Sequence, residues 1–291
     1  VAVDPVAGAF LPMSATPPAQ PPIPGSAAVI LTRPAGRNAA LARQLTAHGV
    51  HCVALPALEL TPSTNPVPLP QGFDLILFVS GFAAQCYLQA LPEPVWPAGV
   101  RAAGVGSATR QAIEDSGLVP HSATICPSAD TQQDSEALWQ TLQATGVRPQ
   151  RVLIVRGDTG RDWLRAQWRS AGTQVQDFVA YQRRAVVWPT AAVRQLRAAA
   201  AHTSCVLLIT SADGARAVDD NLRRLDLTDL WGRCRILTLH PRIAACVAQL
   251  QHTAGFAPGH PVVTTKPDAH TLSQSLLVLA TGNYRLQCCH D

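Results

Sequence analysis

The chain has 291 residues, of which 47% are apolar and 14% charged; that is enough core material to exclude a disordered polymer, and the length predicts two domains. The formal net charge of +4 is spread along the chain without a Lys/Arg block, which argues against a nucleic-acid groove and suits a small polyanionic ligand, although taken alone it is an ordinary solubility setting. Eight cysteines form no C-x-x-C pair and no metal-type spacing with histidine, so no metal site is expected, and most sit in apolar stretches as in a reducing compartment. No run reaches the roughly 18 apolar residues of a membrane span and the N-terminus lacks the layout of a secretory signal, so the cytoplasm is the expected location.

Residues 1 to 26 are rich in Pro and Ala, with Pro17-Pro18 and Pro21-Pro22, and read as a disordered arm. Met13 is the only methionine and reads as the natural start, with residues 1 to 12 a leader. From Ala27 short apolar runs alternate with helical stretches closed by Gly. Val29 to Leu31 predicts a strand, Asn38 to His48 a helix with Leu41 and Leu45 on one face, and Gly49 its stop. Further strands are predicted at Val50 to Leu55, Leu75 to Val79, Arg101 to Val105, Val152 to Val155, Val175 to Val179, Cys205 to Thr210, Arg235 to Leu239 and Pro261 to Thr264. Alternation at this spacing predicts parallel sheets with right-handed crossovers, an α/β fold.

The chain also echoes itself. Leu31-Thr32-Arg33, Leu41, Leu45 and Gly49 match Ile154-Val155-Arg156, Leu164, Trp168 and Gly172. Leu77 to Leu91 lines up with Leu208 to Leu222, and Arg101 to Thr109 with Arg235 to Ile243. A chance echo of a generic βα pattern is the alternative; three units in order favour two similar lobes.

No nucleotide motif is present. Gly104-Val105-Gly106-Ser107-Ala108-Thr109 lacks the third Gly, and Arg156-Gly157-Asp158-Thr159-Gly160-Arg161 has no Walker lysine. Both place small or hydroxyl residues between a strand end and a helix start, as do Val79-Ser80-Gly81 and Thr210-Ser211-Ala212. Unpaired N–H groups and the helix dipole favour anions there. Singly these are more often plain N-caps; four at the carboxyl ends of parallel strands stand where open α/β sheets take ligands.

These residues carry a resemblance. The run Ile30 to Leu41, with Thr32-Arg33-Pro34-Ala35-Gly36-Arg37, is similar to the opening of uroporphyrinogen-III synthases. Leu55 to Leu60, Val105 to Thr109, the Arg156 to Arg161 loop, Val179-Ala180-Tyr181-Gln182-Arg183-Arg184 and Ile209-Thr210-Ser211 resemble that family's later landmarks in order. The resemblance implies two similar flavodoxin-like lobes, each a parallel sheet flanked by helices, joined by a two-stranded connector of Leu58 to Thr61 with Tyr181 to Arg184. Residues 27–57 plus 185–291 would form one lobe and 58–184 the inserted second. The implied substrate is hydroxymethylbilane, whose eight carboxylates suit a lining of N–H groups and scattered Arg, bound between the lobes without a cofactor. The implied partners are that small molecule and a handover from hydroxymethylbilane synthase, with no nucleic acid, no membrane and a monomeric chain.

The family's reaction loses the terminal hydroxyl, forms a spiro intermediate at ring D and recloses the macrocycle with that ring inverted. Tyr181 resembles the family's cleft tyrosine, whose phenol can assist the departing hydroxyl; a Tyr merely covering the connector is the plain alternative. Thr109 takes the family's hydroxyl position, with helix capping as its alternative. Ser80 and Ser211 match across the two halves. Arg33, Ser107, Arg156, Gly160, Arg161, Ala212 and Arg235 complete the expected substrate-binding set. Gly81-Phe82 departs from the family's Pro-Asn-like pair, and His240-Pro241-Arg242-Ile243 from its Gly-Pro-x-Thr segment. Cys288-Cys289-His290-Asp291 reads as a frayed end. A non-catalytic two-lobed sensor of an anionic ligand is the alternative function; a fused DNA-binding helix pair would favour it, and none with a basic face is visible.

Overall fold

A computed structural model describes residues 26–128, 130–131, 133–202, 205–256 and 262–282; the Pro/Ala arm up to residue 25 and the Cys288-Cys289 tail lie outside it. The first elements are β1 (Ala28–Leu31), α1 (Ala39–Ala47), β2 (Cys52–Ala54), β3 (Leu58–Pro62), β4 (Leu75–Phe78), α2 (Gly81–Gln89), β5 (Arg101–Gly104) and α3 (Ser107–Asp115). They are followed by β6 (Thr124–Ile125), α4 (Ser135–Ala144), β7 (Arg151–Gly157), α5 (Trp163–Ser170) and β8 (Gln174–Ala185). The chain continues through α6 (Thr190–His202), β9 (Cys205–Ile209), α7 (Ala212–Arg224), α8 (Leu230–Arg233), β10 (Cys234–Thr238), α9 (Pro241–Thr253), β11 (Val262–Thr264) and α10 (Ala269–Thr281).

Two sheets result. The first has the order β11-β10-β9-β1-β2 and is parallel throughout; the second has the order β3-β8-β7-β4-β5-β6, parallel except for the antiparallel β3–β8 ladder at its edge. The echoed segments now have a spatial meaning. If β10 is matched with β5, β9 with β4 and β1 with β7, the order β10-β9-β1 in one sheet repeats as β5-β4-β7 in the other.

Each sheet is buried on both faces, which is why its strands read as continuous apolar runs rather than alternating ones. In β1, Ala28 and Ile30 enter one core layer while Val29 and Leu31 enter the layer on the opposite face. In β4, Ile76 and Phe78 pack on one side and Leu75 and Leu77 on the other. Fully burying such a side chain contributes roughly 1.5–3 kcal/mol.

The boundaries differ from the sequence reading by a residue or two, with two larger departures. β8 is a single strand of 12 residues, because the segment predicted at Val175 to Val179 runs without a break into the connector. β6 was not predicted, since two residues carry no periodic pattern. Five helices begin on side-chain caps: Ser80, Asp134, Ser211, His240 and Asp268 each accept a backbone N–H of the first turn. Gly49 follows α1 at φ 71°, a left-handed conformation that glycine adopts without strain.

The connector register pairs Glu59 with Arg184, Leu60 with Arg183 and Thr61 with Gln182. Past it, Asn221 of α7 fastens the returning chain: its side chain accepts from Trp188 N–H at 2.9 Å and donates to Val186 C=O at 2.7 Å. Trp188 Nε1 in turn donates to Pro56 C=O at 3.1 Å. Both crossings between the sheets are thereby tied to the first one. Among the described residues no helix is long and apolar enough to cross a membrane.

Candidate functional site

The carboxyl ends of both sheets face a common cleft with two adjoining cavities, of about 390 Å³ and 320 Å³. The smaller is lined by Arg33, Arg37, Ser80, Phe82, Ser107, Thr109, Tyr181 and Arg183; the larger by Asp134, Arg156, Gly160, Arg161, His240 and Arg242; Ser211 and Arg183 belong to both.

Tyr181 is 2% exposed. Its ring meets Phe82 edge-on at 5.0 Å, and its phenol oxygen lies 3.2 Å from Ser80 Oγ and accepts from Arg183 Nη2 at 2.6 Å. Gly157 gives the ring its room, since a Cβ there would stand 2.9 Å from Tyr181 Cζ. Ser80 and Ser211 are N-caps of α2 and α7, accepting from Ala83 N–H at 3.2 Å and Gly214 N–H at 3.0 Å, and both still line the cleft. Ala212 is the first residue of α7 and does not line either cavity. Thr109 does not cap: the cap of α3 is Gly106, with no side-chain bond. Thr109 is instead 3% exposed in the third position of that helix, against Gly104. Ser107 opens α3, and its N–H donates to the Gln133 side chain.

The arginines divide sharply. Arg33 is half-buried, and among the described residues no carboxylate pairs with it; burial and then the neighbouring Arg37 guanidinium lower its pKa from the usual arginine value. Arg37 lies over the Phe82 ring at 5.0 Å. A half-buried cation without a counter-ion beside a second one favours an anionic ligand. Arg156, by contrast, is 8% exposed and is used by its own loop, donating to Asp162 Oδ1 at 2.6 Å and Gly160 C=O at 3.0 Å.

Arg161 forms a bidentate pair with Glu136 at 2.6 and 3.0 Å, which places it on a neighbouring carboxylate rather than free in the cleft. That guanidinium first, and Arg242 after it, hold Glu136 at about 2 against the opposing effect of partial burial. Arg235 does not belong to the site. It stands near the start of β10, at the opposite end of the sheet from the cleft, and donates to Leu279 C=O in the last turn of α10. Its counterpart Arg101 does the same, donating to Ser122 C=O at 2.8 Å. Both cations satisfy stray carbonyls at the amino ends of their strands.

Four residues outside the expected binding set, Arg37, Asp213, His240 and Arg242, cross the cleft or line it. Arg242 of α9 donates to Asp134 at 3.1 Å and Glu136 at 3.0 Å from the other sheet's α4. Asp213 of α7 accepts from Thr159 Oγ1 at 3.2 Å and stands 3.5 Å from Arg183 Nη1. His240, in the loop that departs from the family pattern, caps α9 through Nδ1 at 3.0 Å and lies 3.6 Å from Asp134. Arg37 had a usable signal, four residues after Arg33 in the same motif. Asp213 and Arg242 had none, because partners such as Arg242 and Glu136 are 106 residues apart. Among the described residues no cluster of His, Cys, Asp or Glu fits a metal ion.

Two α/β sheets facing each other across a cation-bearing, hydroxyl-lined cleft define a two-lobed α/β protein with a cleft of the kind that takes small molecules. A family model described as uroporphyrinogen-III synthase HemD matches residues 39–262, so the chain belongs to the uroporphyrinogen-III synthase family. A curated uroporphyrinogen-III synthase of Proteus mirabilis is 26% identical over 164 residues, covering 53% of this chain and 79% of that one. Crystal structures of a mutant uroporphyrinogen III synthase from Thermus thermophilus and of the Helicobacter pylori enzyme match with TM-scores of 0.52 and 0.53 at 14% identity. They cover 88% and 86% of this chain and 100% and 99% of their own, and share its fold.

Proposed function

We propose that the chain converts hydroxymethylbilane to uroporphyrinogen III and water, inverting ring D. The observation that carries this reading is the arrangement around Tyr181: a buried phenol bonded to Ser80 and Arg183, at the wall of a cleft where Arg33 has no counter-ion among the described residues. The terminal hydroxyl of the substrate departs as water once the phenol protonates it, leaving an electrophilic azafulvene. Ring D attacks through its substituted carbon to give the spiro intermediate, which opens and recloses with the ring inverted. The ring carbon that gains the last bond gives up a proton, which restores the phenol, so that only water is lost. Left to itself the bilane closes head to tail, so the protein's larger task is to hold the conformer that directs attack to the substituted carbon.

In this reading Arg33 and the N–H groups behind Ser80, Ser107 and Ser211 take the side-chain carboxylates, and Thr109 offers a hydroxyl from the cleft wall. The lobes are residues 27–57 plus 185–291 and residues 58–184, a division supported by which strands join each sheet. The chain works as a monomer in the cytoplasm with no cofactor, taking its substrate by handover from hydroxymethylbilane synthase. The test is to supply fresh hydroxymethylbilane after dialysis against chelator and to resolve the product isomers. Type III product supports the reading; type I alone, at the uncatalysed rate, leaves a non-catalytic binder of anions.

A further inference from the structure

Arg183 stands where the two cavities meet and lines both. Its side chain is 22% exposed, and its fork is spent in three directions. Nη2 donates to the Tyr181 phenol oxygen at 2.6 Å. Nη1 donates to the Thr159 carbonyl at 2.9 Å and hydroxyl at 2.8 Å, and faces Asp213 of the opposite lobe at 3.5 Å.

A guanidinium has donors and no acceptor. The phenol oxygen must therefore accept at this contact, and its one proton is directed elsewhere. Its other polar neighbour is Ser80 Oγ, 3.2 Å away, which already accepts the Ala83 N–H. The proton is left to the remaining lone pair of Ser80 or to an oxygen presented from the cleft. A cation on the far side of the oxygen also stabilises the negative charge that builds there as the proton leaves.

We propose that Arg183 is a positioning residue that keeps the Tyr181 phenol aimed into the cleft as a proton donor, and that its grip depends on Asp213, so that the donor is fully set only with the lobes closed. Arg183 touches the phenol, not the leaving hydroxyl, and the inference rests on the assignment of Tyr181 above. The register explains how one strand does both jobs. Tyr181 and Arg183 are two apart on β8 and share a face, and at this point β8 passes from its ladder with β7 into its ladder with β3.

The experiment is a double-mutant cycle on hydroxymethylbilane turnover, with kcat, KM and isomer ratio read for the parent, Arg183→Gln, Tyr181→Phe and the pair. Arg183→Gln should lower kcat about tenfold, the scale of one charge-assisted hydrogen bond, with KM nearly unchanged. Added to Tyr181→Phe it should cost nothing more, because the phenol through which it acts is gone. A merely structural Arg183, holding the Thr159 loop, would lower kcat equally in both backgrounds, and multiplying losses overturn the inference. So does a loss confined to KM, which would mean that Arg183 holds a substrate carboxylate directly. Arg183→Lys, run through the same cycle, covers an Arg183→Gln chain that fails to fold, since an ammonium keeps the charge and cannot serve the phenol, Thr159 and Asp213 together. Asp213→Asn should lower kcat severalfold, again only with Tyr181 present, and full kcat there overturns the dependence on the opposite lobe. A parent chain that makes no type III product sinks the proposed activity and this inference with it; type III product with additive losses sinks the inference alone.

Discussion

Arg33 and Arg156 occupy matching places after matching strands, β1 in one sheet and the end of β7 in the other, and the protein uses them in opposite ways. Arg156 is buried and paired, closing its own loop onto Asp162 and Gly160. Arg33 is half-buried and unpaired among the described residues, with Arg37 as a like-charged neighbour. Ser80 and Ser211 repeat the lesson. Both cap helices, but Ser80 also holds the Tyr181 phenol while Ser211 is followed two residues later by Asp213, which reaches across to Arg183. In each matched pair one position is left open to the cleft and the other has become a fastening, and the two open positions, Arg33 and Ser80, follow strands of different sheets.

Changes that remove the chemistry of the open positions around Tyr181 should have the largest effect. Tyr181→Phe should lower kcat by about 10²-fold, the low end of general-acid effects, with the ring still packed on Phe82 and product affinity little changed; isomer-resolved turnover checks it, and a loss below tenfold would shift the weight to conformational steering. Gly157→Ala tests the same phenol from behind. Its new methyl would meet the Tyr181 ring, and turnover should fall by about tenfold or more with the phenol still present.

Exchanging the matched arginines separates holding a ligand from holding a loop. Arg33→Gln should raise KM for hydroxymethylbilane about tenfold, the scale of one lost charge-assisted contact, and leave the melting midpoint unchanged or slightly higher, since it removes a desolvated and repelled cation. Arg156→Gln should lower the melting midpoint by roughly 5 °C while KM moves less; equal behaviour of the two variants would dissolve the contrast.

The smallest effect concerns the fastenings. Glu136 titrates at about 2 when folded, held down by Arg161 and then Arg242, below its ordinary value near 4.5. A depressed carboxylate contributes stability that is present above the unfolded value and is lost as pH falls from about 4.5 towards 2. Melting midpoints across that window should fall further for the parent than for Glu136→Gln, by a degree or so, because the pair is part-exposed and screened.

Much of the fold was legible because parallel strands buried on both faces leave unbroken apolar runs such as Val29-Ile30-Leu31 and Leu75-Ile76-Leu77. The internal echo was legible for the same reason, and the repeated strand order gives it a physical form. β8 was misread as two pieces because Tyr181 to Ala185 loses the apolar run on leaving the core, although its backbone stays extended. Tyr181, Ser80, Arg33 and Thr109 were expected from motifs, and all four line the smaller cavity. Arg235 was placed wrongly, since an Arg on a strand does not say which end of the sheet it serves. Asp213 and Arg242 were missed because the groups they meet come from the opposite lobe, and pairing across such distances leaves no local pattern.

The position of β1 has a consequence for synthesis. Its neighbours are β2, close by, and β9, from which it is separated by 176 residues at the bond between Thr32 Oγ1 and Leu208 C=O. A nascent chain emerging from the ribosome would hold β1 and β2 as an unfinished pair while β4, β5 and β7 are made and assembled. The inserted sheet can therefore mature first, and the sheet that starts the chain is completed near its end. For as long as that takes, β1 presents the bare edge that β9 will cover, an open invitation to strand pairing between chains. Aggregation during refolding should consequently depend on the delay before β9 arrives, and the earliest protected amides in pulse-labelled exchange should be those of β4 and β7, with β1 among the last.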